Sequence, residues 1–128
     1  MKTMLSLLVL LTTVAFTPII SDNGYEIGDI ATDFKLKNID GNTVSLSDYK
    51  DAKGFIVVFT CNTCPYAVAY EDRIEALNKK YAKKGYPVIA IMPNNVRTKP
   101  GDSMEAMQQR AKEKGFTFPY VMDADQSI

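Results

Sequence analysis

The chain has no histidine and no tryptophan, and only two cysteines among 128 residues. Without histidine it lacks a leading metal ligand and the side chain that most often moves protons near neutral pH. Two cysteines fall short of the four-ligand set of a structural zinc site, so neither metal nor cofactor is expected. Net charge is missing too: lysine plus arginine and aspartate plus glutamate number 15 each. That balance offers no basic face for nucleic acid or an anionic membrane surface. Internal repeats, low-complexity tracts and long linkers are absent from the sequence.

Long apolar runs are scarce as well. The one that opens the chain, Met4 to Phe16 behind Met1-Lys2-Thr3, is too short for an ordinary membrane span and has the length of a signal-peptide core. Residues 1–21 therefore read as an export leader. Thr13 with Ala15, or Ser21 ahead of Asp22-Asn23-Gly24, offer cleavage points, and no cysteine stands nearby to carry a lipid. A buried amino-terminal strand or helix is the alternative. Export implies a periplasmic or secreted protein with no stable membrane anchor after cleavage, and loss of Lys2 leaves one net negative charge. Residues 22–128 make a single domain with enough chain for one core.

Both cysteines fall in Cys61-Asn62-Thr63-Cys64, directly after the apolar run Gly54-Phe55-Ile56-Val57-Val58-Phe59 and ahead of a helical pattern. A redox dithiol is built in such a place. A thiolate in the first turn of a helix meets free backbone N–H groups and the positive end of the helix dipole, so its pKa falls and it becomes a nucleophile. A second thiol one turn on can resolve the mixed disulfide formed by the first. A purely structural disulfide is the competing reading, but a bridge across so short a loop removes little unfolded-state entropy.

Residues 33–38 and 43–46 alternate polar and apolar around Ile39-Asp40-Gly41-Asn42, which predicts a hairpin turning at Asp40-Gly41. Ser47-Asp48-Tyr49 opens a short turn, and residues 55–59 read as a central strand buried on both faces. Tyr70, Ile74, Leu77 and Tyr81 recur at helical spacing, acids leading and bases following, until Gly85. Residues 88–92 then form a second buried strand, parallel to the first, so the CxxC opens the helix of a βαβ unit. After a polar loop over residues 93–102, a helix capped by Ser103 runs to Gly115, and residues 118–122 form a further strand. Met104 and Met107 are expected in the core. Asp123-Ala124-Asp125 has the opening spacing of a calcium loop, but Ile128 stands where the glycine belongs, which leaves a polar turn. Tyr66 either packs beneath the CxxC or lines its rim.

Strand-FTCNTCPYA-helix, the hairpin DFKLKNIDGNTVSLSDY and the later FPYVMDAD together resemble the thioredoxin superfamily, in its redoxin or peroxiredoxin-like (AhpC/TSA-like) branch with a CxxCPY segment. The resemblance spans about residues 25–128. It implies an α/β fold, a thioredoxin-like three-layer sandwich with an amino-terminal β-hairpin. It further implies an exported thiol–disulfide oxidoreductase in which Cys61 is the exposed nucleophile and Cys64 the resolving thiol. Its partners would be protein dithiol or disulfide substrates and a protein that donates or accepts electrons. Three departures stand out: Thr60 replaces the usual aromatic residue, residues 55–59 lack the proton-carrying carboxylate, and Asn62-Thr63 lacks the histidine of strongly oxidising members. In the proteins it resembles a helix and a cis-proline strand follow the strand at residues 120–122. This sequence stops at Ile128, so the domain is expected to be incomplete at its carboxyl end.

Two other functions are weighed beside this one. A thiol peroxidase of this superfamily resembles P-x-x-x-[TS]-x-x-C, yet counting back from Cys64 meets Cys61 and Val57, and from Cys61 meets Val58 and Gly54. Neither register supplies the hydroxyl and the proline. The other is a non-enzymatic binding or scaffold domain that keeps a structural Cys61–Cys64 bridge.

Overall fold

Asp40 and Gly41 reverse the chain as the hairpin pattern predicts. Gly41 adopts φ +87°, a left-handed conformation that glycine takes without a Cβ clash, and the Asp40 carboxylate accepts the Asn42 N–H at 2.9 Å. The turn joins β1 (Leu36–Asn38) to β2 (Thr43–Val44), which pair antiparallel. The computed structural model describes residues 24–128, so the expected leader lies outside the described residues. The chain divides into two units, residues 1–31 and 32–128. In the described part of the first, the Asp29 N–H donates to the Glu26 carbonyl at 3.1 Å, and its carboxylate accepts the Glu26 N–H at 2.7 Å. The second unit holds the sheet.

β3 (Ile56–Phe59), α1 (Pro65–Tyr81) and β4 (Val88–Met92) form the expected βαβ crossover, with β3 and β4 parallel and Ile56 opposite Val88. α2 (Met104–Lys114) leads into β5 (Tyr120–Met122), which lies parallel to β4. β1 pairs antiparallel with β5 and attaches the hairpin, giving a mixed α/β sheet in the order β2-β1-β5-β4-β3. Ser103 caps α2 by accepting the Ala106 N–H at 3.3 Å, and Gly115 ends it in the left-handed region at φ +67°.

The expected centre of the sheet is displaced. β3 stands at the edge, with Val57 42% and Phe59 56% exposed, whereas every residue of β4 is fully buried. A continuous β-branched and aromatic run signals a strand with an apolar face, and periodicity alone does not tell edge from centre. The pleat of β4 divides the core. Val88, Ala90 and Met92 pack with Ile74 of α1 and Met107 of α2, while Ile89 and Ile91 pack on the other face with Phe34, Leu36, Val44 and Val121. At about 1.5–3 kcal/mol for each large apolar side chain removed from water, these two layers dominate the stability.

α1 is also rotated from the face that Tyr70, Ile74, Leu77 and Tyr81 mark out. Its buried residues are Glu71, Ile74, Glu75 and Asn78, and Tyr70 points outward. The polar members are all partnered. Glu71 takes a two-pronged ion pair from Arg110 at 2.7 and 2.8 Å. Glu75 accepts the Thr117 N–H and hydroxyl at 2.9 and 2.8 Å, and Asn78 accepts the Val88 N–H at 3.0 Å. These groups satisfy the backbone where α2 returns to the sheet, which is why α1 can bury them. Among the described residues no helix is long and apolar enough to cross a membrane.

Candidate active site

Cys61 and Cys64 lie between the end of β3 and the start of α1, and both are free, partly exposed thiols. The sequence places the CxxC in the first turn of the helix, with Cys61 leading. The structure starts the helix later. Pro65 is its first residue and Cys64 its N-cap, in an extended conformation at φ −83° and ψ 121°. The cause is local: the proline ring crowds the preceding residue out of the helical region while its own fixed φ suits a first helical position. Cys61 therefore sits ahead of the helix, and it packs against the inner core cluster.

The helix amino terminus acts on Cys64. Pro65 has no N–H to offer, so the first amides available are those of Tyr66 and Ala67. The sulfur does not close a full capping hydrogen bond, but the Ala67 N–H, then the Tyr66 N–H and the Cys61 thiol, hold the Cys64 pKa below the usual thiol value. Burial and the charge of Asp102 act against them.

The loop between the cysteines is fixed by a residue to which the sequence reading gave no role. Asp102, fully buried in a single 3₁₀ turn (Pro100–Asp102), accepts the Asn62 N–H at 2.8 Å and the Thr63 N–H at 3.1 Å through Oδ1. Its Oδ2 accepts the Thr63 hydroxyl at 2.9 Å and the Asn94 side-chain amide at 2.7 Å. The Asn62 side chain donates to the Gly101 carbonyl at 3.1 Å and accepts the Tyr120 hydroxyl at 3.1 Å. A Cβ on Gly101 would stand 2.7 Å from Thr63 Cγ2, so glycine there permits the close approach of the two loops. Burial, with the nearby charge of Asp102, pushes the Tyr120 phenol well above its usual range, so it stays protonated and donating.

Beneath Cys61 a cavity of about 10 Å³ is lined by Thr60, Cys61, Glu71, Ile74, Phe116, Phe118 and Tyr120. Two buried carboxylates from other segments thus stand near the cysteines: Asp102 under the loop, and Glu71, which lines the same cavity as Cys61. Tyr66, 81% exposed, lines the rim, where it borders an open groove of about 450 Å³ together with Phe59 and Tyr70. Asp123 forms a buried turn after β5, accepting the Ser127 N–H at 3.0 Å and the Ile128 N–H at 3.3 Å. Among the described residues no group of three or more cysteine or carboxylate side chains is placed to hold a metal ion.

The profile of the AhpC/TSA family matches residues 27–128. The thiol-disulfide oxidoreductase ResA of Oceanobacillus iheyensis is 29% identical over 108 residues, covering 81% of this chain and 52% of that protein. The glutathione peroxidase homolog BsaA of Halalkalibacterium halodurans is 30% identical over 88 residues, 68% of this chain and 55% of that protein. Among solved structures, a hypothetical protein of Sinorhizobium meliloti 1021 superposes with a TM-score of 0.77 at 33% identity, over 82% of this chain and 57% of that one. The chain spans about half the length of the curated relatives it matches.

Proposed function

The chain belongs to the AhpC/TSA family, and on that premise we propose that it is a thiol–disulfide oxidoreductase exchanging electrons with protein substrates through Cys61 and Cys64. The observation that carries this is the pair of free thiols on one loop, with Cys64 at the N-cap of a 17-residue helix and the intervening residues tied to Asp102. Two thiols three residues apart on one loop outside the sheet can close to a disulfide without rebuilding the sheet, and a thiol at a helix amino terminus is reactive near neutral pH. The similarity to ResA supports the same chemistry. The leader-like residues 1–21 support an exported, periplasmic or secreted protein, in which a reducing role needs electrons from a donor protein. No cofactor or metal enters this chemistry.

Titration of the mature protein in graded thiol/disulfide buffers tests the proposal. A reversible two-electron couple within the range of known oxidoreductases is expected. A bridge that yields only to harsh reduction would instead make the chain a binding or scaffold domain with a structural disulfide.

A further inference from the structure

We propose that the outer edge of β3 is a self-association surface, on which a second copy of this chain adds its own β3 antiparallel and joins the two five-stranded sheets. β3 ends the strand order, and among the described residues only β4 pairs with it. The Ile56 and Thr60 N–H groups donate inward, to the Pro87 and Ile91 carbonyls at 3.0 and 2.9 Å. Backbone groups alternate along a strand, so Val57 and Phe59 turn their N–H and C=O groups outward. Proteins usually blunt such an edge with a lysine or a proline. Residues 55–60, Phe-Ile-Val-Val-Phe-Thr, hold no charge, proline or glycine, and the side chains of Val57 and Phe59 are exposed.

The helix above the edge lacks a partner as well. Of the apolar stripe Tyr70, Ile74, Leu77 and Tyr81, only Ile74 is fully buried, and Tyr70 is 53% exposed. The stripe overlooks β3. At the carboxyl end of the strand the open groove of about 450 Å³ is bordered by Val58, Tyr66 and Tyr70, and at its amino end a second of about 290 Å³ is bordered by Ile56, Tyr81 and Tyr86. An apolar helical face standing over an open sheet edge is completed by one more strand.

β3 of a second copy fits that place. The antiparallel register that engages both open residues within each strand sets Val57 opposite the second copy's Phe59, and Phe59 opposite its Val57, with the two-fold axis at Val58. Each copy then offers two N–H donors and two C=O acceptors that satisfy one another with none left over. Branched and aromatic side chains meet in the cross-strand pairs, a favourable combination. The same patch serves both copies, so the assembly closes at two. The two-fold also turns the groove at the carboxyl end of one β3 toward the groove at the amino end of the other, which brings Tyr66 and Tyr70 near the second copy's Tyr81 and Tyr86. In this register the second copy's Phe55 stands level with Cys61, so each CxxC opens beside the other subunit.

Sedimentation equilibrium across a concentration series tests the proposal. The purified protein is expected to reach twice the monomer mass, and Val57→Lys, which places a charge on the exposed edge, to stay monomeric with an unchanged circular dichroism spectrum. A wild-type protein that stays monomeric to the highest concentration overturns the proposal and leaves the edge to another polypeptide. Association that survives Val57→Lys overturns it too. Val58→Cys with Cys61→Ser and Cys64→Ser, oxidised by glutathione disulfide, should cross-link to itself across the axis. Thr43→Cys in the same background, on the far edge of the sheet, should not. A dimer in which Val58→Cys fails to cross-link, or cross-links no better than Thr43→Cys, overturns the pairing.

Discussion

Asp102 Oδ1 accepts the backbone N–H of Asn62 at 2.8 Å across a sequence separation of 40 residues. With the Thr63 amide and hydroxyl and the Asn94 side chain on the same carboxylate, one buried charge determines the shape of the loop that carries both thiols. A charged acceptor with four donors is satisfied where it stands, and its loss strands those donors.

Asp102→Ala is expected to lower the unfolding free energy by at least about 3 kcal/mol, at roughly 1–3 kcal/mol for each buried donor left without a partner. Asp102→Asn keeps the shape and costs less. It also removes a negative charge that opposes the Ala67 and Tyr66 amides at Cys64, so Cys64 should alkylate at lower pH than in the wild type. Urea denaturation and the pH profile of iodoacetamide labelling check the two effects. A rise in the labelling pH of Asp102→Asn would count against the electrostatic account.

Hydrogen peroxide should be consumed no faster than by a free thiol when a dithiol donor is supplied. Three residues before Cys64 stands Cys61 rather than a hydroxyl side chain, and seven before it stands Val57 rather than proline. Nothing in that register orients a peroxide oxygen against the sulfur. Saturable peroxide turnover lost in Cys64→Ser would overturn this expectation.

Asp33 makes the hairpin end acid-sensitive. Hydrogen bonds led by the Ser45 hydroxyl at 2.6 Å, with the Leu46 and Phe34 amides at 2.8 Å, lower its pKa from 3.8 to about 2. A carboxyl with a depressed folded-state pKa contributes stability above its unfolded value, and that contribution is lost as pH falls through the folded one. Stability should therefore decline between pH 3.8 and about 2. Asp33→Asn should flatten that part of the curve, measured by thermal unfolding across the pH series. An unchanged slope would show that Asp33 does not contribute there.

Arg110→Ala should cost about 3 kcal/mol, since it leaves Glu71 buried without its two-pronged partner. Lys114, 3.6 Å from Glu71, keeps the loss toward the lower end of the range for broken buried pairs. The double variant Glu71→Leu with Arg110→Met should recover most of it, because packed apolar groups replace a buried pair well. Denaturant midpoints of the single and double variants decide the matter.

Local chemistry was legible in the sequence, and non-local chemistry was not. Asp40-Gly41, Ser103 and Gly115 each act on their own neighbours, so the hairpin turn and both ends of α2 stood where turn and cap residues place them. The βαβ unit followed from periodicity. The edge position of β3 depends on which strands pair, which no single run encodes. The late start of α1 is written locally in Cys64-Pro65, because a residue before proline avoids the helical region whatever the CxxC spacing suggests. Asp102 and the Glu71–Arg110 pair left no local signal, because each acts across about 40 residues of chain.

The long reach of Asp102 also sets a schedule. At an elongation rate of about 5–20 residues per second, Asn62 is joined to the growing chain on the order of 2–8 s before its carboxylate partner, 40 residues later. During that interval the two cysteines belong to a strand end and a nascent helix with no shaped loop between them. The reactive pair thus comes into being as a product of tertiary folding, and an unfinished chain carries only two ordinary thiols.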